Sequence, residues 1–213
     1  MTSSNNRKVF DYRALRLLVG IIAFAIPICV TIISSDPLSS ISSSYFTKAR
    51  DVFVGMLFIV SAFLWAYNGH SKTQSYTSKI ASISAVLVAV FPTVCDKCET
   101  STTSIIHYVS AIILFSMLTY FCLGPFRNNT KGKGGKKGRR STIYLICGLV
   151  MVGSMVGLGI CEFALSDDLM VTLRITYWAE TVALFSFGCA WMVAGKYFKP
   201  LVDKEEELYL FAK

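Results

Sequence analysis

The sequence predicts an all-α, polytopic membrane protein: a single domain over residues 1–213, built as a bundle of six transmembrane helices with both termini cytoplasmic. Three observations predict it. Of 213 residues, 54% are hydrophobic and only 16% charged, with a mean hydropathy of +0.55, whereas a soluble domain is about 25% charged. The apolar residues come in blocks that approach the roughly 20 residues needed to span a bilayer's hydrocarbon core. Lys and Arg gather between alternate blocks. Together these features exclude a soluble enzyme, a secreted disulfide scaffold and a disordered tail protein. At about 100–200 residues per domain, no room is left for a further soluble domain. A membrane barrel needs alternating strands of about ten residues, and no such alternation is present.

The predicted spans are 14–33, 52–68, 80–95, 104–125, 142–163 and 175–196. The first carries a basic flank like that of a signal peptide, but it is too long and no small-residue cleavage site follows, so it reads as a retained helix. The second is short and extends back through Arg50 and Asp51. Pro27, Pro92 and several glycines lie inside or at the edge of spans, where neighbouring helices satisfy the freed backbone groups. Between spans four and five lies the one low-complexity stretch, the basic, Gly-rich loop 127–140, expected to be flexible. Its charges attract anionic headgroups at about 1 kcal/mol each near the surface. It lacks the interleaved aromatics that stack on bases, so nucleic acid is not an expected partner. The glycosylation acceptor Asn128-Asn129-Thr130 falls on the same side and is expected to be unused. In span five, Gly153 and Gly157 stand in the spacing that lets another helix approach closely, within the bundle rather than between copies.

Orientation follows from the positive-inside bias. The amino-terminal stretch, the 69–79 loop, the 127–140 loop and the carboxy-terminal stretch together hold 17 Lys and Arg, and the opposite side holds only Lys48, Arg50, Lys97 and Arg174. The net charge of +8 is therefore mainly a topology signal.

Ionisable residues within spans are costly and mark candidate sites. Here they are Asp51 with Arg50, His107, Glu162 and Glu180, all toward the non-cytoplasmic face. Glu180 is deepest, roughly 9 Å below Arg174 at 1.5 Å per residue. Three-residue spacing places Arg174, Tyr177 and Glu180 on one helix face, and His107 with Ser110 on another. The expected result is an outward-opening polar cavity lined by Arg50, Asp51, His107, Ser110, Tyr177 and Glu180, with His107 and Glu180 within reach of one another. The same groups also suit plain helix gluing by hydrogen bonds. With only His70 and His107 in the chain, no metal site and no cofactor are expected. Cys95 and Cys98 stand in a CxxC spacing in the third, outer loop, where a local disulfide is expected. Cys29, Cys122, Cys147, Cys161 and Cys189 read as small apolar fillers.

His107-Tyr-Val-Ser-Ala111, with Thr176-Tyr-Trp-Ala-Glu180 and Leu184-Phe-Ser-Phe-Gly188, resembles the DRAM/Sfk-type six-span superfamily. Tyr45 to Gly55 is similar to uncharacterised bacterial inner-membrane proteins. The resemblance implies a six-span fold with the His and the Glu as paired features. It implies no single activity, since that superfamily includes autophagy modulators, phosphoinositide-kinase regulators and a GPI-lipid remodelling factor. The expected function is a lipid- or small-ligand-binding accessory or regulatory protein, perched among membrane lipids or within a larger membrane complex. The alternatives are an intramembrane hydrolase or acyltransferase using His107 with Glu180 or Asp51, and a small transporter.

Overall fold

Helices form where the apolar blocks lie, because a backbone away from water must satisfy its own polar groups. The computed structural model describes residues 12–95 and 99–203, and these contain α-helices α1 (Tyr12–Ile33), α2 (Arg50–Ala66), α3 (Lys72–Val90), α4 (Thr102–Phe121), α5 (Gly135–Ala164), α6 (Asp167–Thr172) and α7 (Ile175–Ala194). No strand occurs among the described residues. Each predicted span falls on one long helix. The sequence reading did not include the short α6, whose first turn carries Asp167 and Asp168 at the positive end of the helix dipole. Among the described residues, three helices are long and apolar enough to cross a membrane: α1, α4 continued to Phe126, and α5.

Two boundaries differ from expectation for identifiable reasons. Helix α3 begins at Lys72 rather than residue 80, because Ser71 caps it: its hydroxyl accepts from the Gln74 N–H at 3.2 Å. The Gln74 side chain in turn accepts from His70 N at 3.1 Å, tying the residue before the cap to the first turn. Helix α5 begins at Gly135, so Lys136 to Arg140 form its first turns rather than a flexible loop. Arg140 is only 2% exposed and donates to the Leu201 carbonyl at 2.8 Å, while Lys136 donates to the carbonyls of Lys199 and Val202. The glycine-rich stretch is thus held by the chain that follows α7.

Around the bundle the packing order is α4, α3, α2, α1, α7, α5. Helix α5 meets α4 chiefly through a π-helical turn at Cys122–Phe126. Helix α3 is sandwiched between α2 and α4 by small polar side chains. Ser61 and Ser82 exchange hydrogen bonds with each other's carbonyl at 2.9 and 2.8 Å, and the Ser78 hydroxyl donates to Leu64 O at 2.6 Å. Small residues let helix backbones approach. The closest such approach is between α1 and α7, where a Cβ on Gly20 would lie 2.8 Å from Gly188 O and one on Gly188 would lie 2.9 Å from Gly20 O. The expected contact at Gly153 and Gly157 is not formed: nothing lies within 4 Å of a Cβ built on either. Beyond Met151, α5 buries no residue.

Candidate functional site

Alternation of helix direction brings the starts of α1, α3 and α5 to one end with the ends of α2, α4 and α7. This is the basic end. The starts of α2, α4 and α7 lie at the other, with the Ser-rich segment 34–49 that joins α1 to α2.

That segment is folded by its own hydroxyls. Ser40 N donates to Ser43 Oγ at 3.2 Å, Ser43 N to Ser40 Oγ at 2.8 Å, and Ser43 Oγ to Ser40 O at 2.7 Å. The turn buries Leu38, Ile41 and Ala49 against the bundle. The first turns of α7 then hold it. The Glu180 carboxylate accepts from Ile41 N at 2.5 Å and Ser42 Oγ at 3.1 Å. Tyr177 N, an early helical N–H without an intrahelical partner, donates to Ser39 O at 3.0 Å. Arg174 adopts a left-handed conformation with φ 53°, donates from Nε to Leu38 O at 2.7 Å, and lays its guanidinium over the Tyr177 ring at 4.1 Å. The Tyr177 hydroxyl pairs with Thr31 Oγ1 at 2.8 Å, reaching α1. One face of α7 therefore clamps one loop.

His107 belongs to a different contact. It is 2% exposed, and its Nδ1 lies 2.7 Å from the carbonyl of Phe91, at the end of α3. With Nδ1 protonated, the ring donates to a carbonyl that the end of a helix leaves without an intrahelical donor. Ser104, His107 and Ser110 form a buried polar stripe on α4, beside Thr93, whose hydroxyl donates to the Tyr108 oxygen at 3.1 Å. The expected pairing of His107 with Glu180 is not formed, since each side chain has other partners. Arg50 and Asp51 are exposed, and Arg50 donates to the Tyr45 hydroxyl at 2.9 Å with its guanidinium over that ring. The six residues of the expected cavity thus divide into a clamp (Tyr177, Glu180), a helix seam (His107, Ser110) and a surface pair (Arg50, Asp51). Glu180, Arg174 and the Tyr177 N–H are engaged by residues 38–42, while His107 is engaged by the end of α3.

Two grooves run along α7 instead, and none of the six residues lines either. One of about 470 Å³ is lined by residues including Ile21, Phe24, Cys189 and Met192. The other, about 350 Å³, is lined by Gly153, Gly157, Trp178 and Val182 among others. Among the described residues no group of three or more His, Cys, Asp or Glu is placed to hold a metal ion. Cys98 lies outside the described residues, and with it the expected Cys95–Cys98 pairing.

A cluster that the sequence reading passed over lies at the basic end. Arg16, counted only as a topology charge, is 8% exposed and donates to the Ala194 carbonyl at 3.1 Å and to the Tyr67 hydroxyl at 2.5 Å. Its guanidinium lies 5.2 Å from the ring centres of both Tyr67 and Phe126. Tyr67 and Trp191 are fully buried and, with Phe121 and Phe126, stack edge-on or tilted at centroid distances of 5.3–5.7 Å. The available signal was position: Arg16 falls inside the predicted span 14–33, where an ionisable group needs a partner. No protein-family model, no curated protein and no solved structure matches this chain.

Proposed function

We propose that the chain is a six-span integral membrane protein of accessory or regulatory kind, with all six long helices crossing the bilayer and the basic end in the cytoplasm. The observation that carries the accessory reading is the engagement of the candidate acid–base groups. Glu180 and His107 each spend their hydrogen bonds on structure, one on a loop and the other on a helix end. A hydrolase or acyltransferase would instead need them poised at a shared, accessible point. Helices α2, α3 and α7 fall short of self-evident spans because α2 has only 17 residues, α3 begins with a polar half and α7 contains Glu180. Ser61 on α2, Ser78 and Ser82 on α3 and Glu180 on α7 are hydrogen-bonded inside the protein, which is what makes such helices tolerable in lipid.

The exposed Lys131, Lys133 and Arg139 at the basic end supply the anionic-lipid contact, at about 1 kcal/mol each. The shared plan of the DRAM/Sfk-type superfamily, and a local Cys95–Cys98 disulfide on the outer side, belong to the same reading. Its test is a topology and lipid measurement on the full chain. A thiol introduced by Asn129→Cys should react with an impermeant maleimide only after the cells are opened. Protein reconstituted in vesicles of mixed phosphatidylserine and phosphatidylcholine should retain phosphatidylserine on extraction, and Lys131→Glu with Arg139→Glu should reduce it. Labelling of Asn129→Cys in intact cells would overturn the orientation, and unchanged lipid retention would overturn the headgroup contact.

A further inference from the structure

The larger of the two grooves, about 470 Å³, is walled by Ile21 and Phe24 on α1, Ile143 on α5, Met192 on α7, and Phe198 and Leu201 beyond it. Its lining is apolar, and it opens sideways, since Ile21 and Phe198 are 45% and 41% exposed. Counted from Tyr12 at the basic end, Phe24 lies roughly 18 Å in at 1.5 Å per residue. That is close to the roughly 15 Å half-thickness of a bilayer's hydrocarbon core. The groove therefore belongs to one leaflet, the one at the basic end.

The rim at that end carries positive charge. Arg140 and Lys136, one and two turns before Ile143 on its face of α5, donate to the carbonyls of Leu201, Lys199 and Val202. They pin the short turn Lys199–Leu201 across the start of α5. Lys199 on that turn is exposed, and so is Arg139, four residues before Ile143. The one carboxylate at this end among the described residues is Asp203.

We propose that the groove holds an acyl chain of one anionic phospholipid of the cytoplasmic leaflet, with its headgroup at Arg139 and Lys199. The inference rests on the membrane-spanning reading above and adds to it a lipid at a defined place, apart from the 131–133 loop. A helix of about 10–12 Å diameter fills roughly 500 Å³ per turn, so the groove has room for only about one turn of a partner helix. A flexible hydrocarbon chain fits it along its length. Apolar surface alone selects no lipid, because lipid tails are as apolar as the wall. Selection comes from the rim, where two cations near the surface favour an anionic headgroup by about thirtyfold.

The test uses the full chain in phosphatidylcholine nanodiscs containing a trace of phosphatidylserine with a diazirine on one acyl chain. After illumination, adducts are mapped by mass spectrometry. They should gather on Ile21, Phe24 and Met192 rather than on Ile80 of α3, which is 46% exposed at a similar distance from the basic end. Unlabelled phosphatidylserine should compete about thirtyfold better than phosphatidylcholine. Arg139→Glu with Lys199→Glu should abolish that preference, whereas Lys131→Glu with Lys133→Glu should leave the groove adducts in place. Ile21→Trp, at an exposed wall position, should fill the groove and reduce the adducts on Met192 to the level of Ile80. Equal adducts on Ile21 and Ile80, equal competition by the two lipids, or unchanged adducts on Met192 in Ile21→Trp would overturn this inference and leave the membrane-spanning reading standing. Loss of the groove adducts in Lys131→Glu with Lys133→Glu would overturn it by assigning the lipid to the loop. Adducts absent from every long helix would overturn the membrane-spanning reading, and this inference with it.

Discussion

At the basic end of the bundle, a buried guanidinium sits among aromatic rings; at the opposite end, polar side chains of one helix hold a loop. Arg16 lies against the rings of Tyr67 and Phe126 and ties the beginning of α1 to the ends of α2 and α7. Arg174, Tyr177 and Glu180 grip the backbone of residues 38–42, which makes no regular structure with any helix. An arginine can be enclosed because its guanidinium stacks on aromatic faces while donating at its edges. A carboxylate has only acceptors, so it must be met by N–H or O–H groups, and near a helix start the nearest unspent donors belong to a loop. The two ends are therefore stabilised to different extents. The cage adds several aromatic contacts of about 0.5–1.5 kcal/mol each to its hydrogen bonds, whereas the clamp adds to its hydrogen bonds one guanidinium–ring contact, Arg174 over Tyr177.

The largest expected effect tests the cage. Arg16→Ala should lose about 4 kcal/mol, the sum of two hydrogen bonds to a charged group at about 1.5–3 kcal/mol each. Unfolding in mixed detergent micelles reads it, and a loss below that of the Glu180 variants would reverse the ranking of the two ends. Next come the glycines. Gly188→Val forces a side chain against Gly20 O and Phe24, and should cost about 2–3 kcal/mol by overpacking. Gly157→Ala, on the open face of α5, should instead stabilise by up to about 1 kcal/mol through helix propensity. Equal losses at both positions would mean that α5 is packed as closely as α1.

Glu180 sharpens the other side of the comparison. Glu180→Leu leaves Ile41 N and the Ser42 hydroxyl without an acceptor and should cost about 2–3 kcal/mol, whereas Glu180→Gln keeps one acceptor oxygen and should cost about 1 kcal/mol. Faster proteolysis within residues 34–49 in Glu180→Leu, with the basic end unchanged, checks that the clamp fails locally. His107→Ala removes one interhelical hydrogen bond and should cost only about 1 kcal/mol, in line with intramembrane bonds elsewhere. The smallest effect is a pH dependence at the basic end. Burial first, then the charges of Arg16 and Lys196, hold His70 below its ordinary value of 6.5. A depressed histidine binds fewer protons folded than unfolded, so its contribution is full above 6.5 and is lost as pH falls below it. His70→Gln should flatten that slope, and Arg16→Ala should weaken it. A slope unchanged in His70→Gln would assign it to another group.

The sequence by itself determined that the chain is helical, where its long helices lie, and which end is basic, because apolar blocks and charge segregation are properties of contiguous residues. Three-residue spacing placed Arg174, Tyr177 and Glu180 on one face for the same reason: helical geometry fixes the direction of near neighbours. It could not say what that face meets. Ile41 lies 139 positions from Glu180, and only packing of α1 against α7 at Gly20 and Gly188 brings the 34–49 segment across it. The same limit explains the other differences. Gly153 and Gly157 carry a close-packing spacing, yet tertiary contact is made where a backbone arrives, and none arrives on that face. The polar start of α3 reads in sequence as loop, and only the fold gives Ser78 its partner, the Leu64 carbonyl on α2. Arg16 reads in sequence as a topology charge, and only the fold brings Tyr67 and Phe126, distant in sequence, around it. Spacing fixes how a helix presents its side chains, and only the fold decides which distant segment satisfies a buried donor or acceptor.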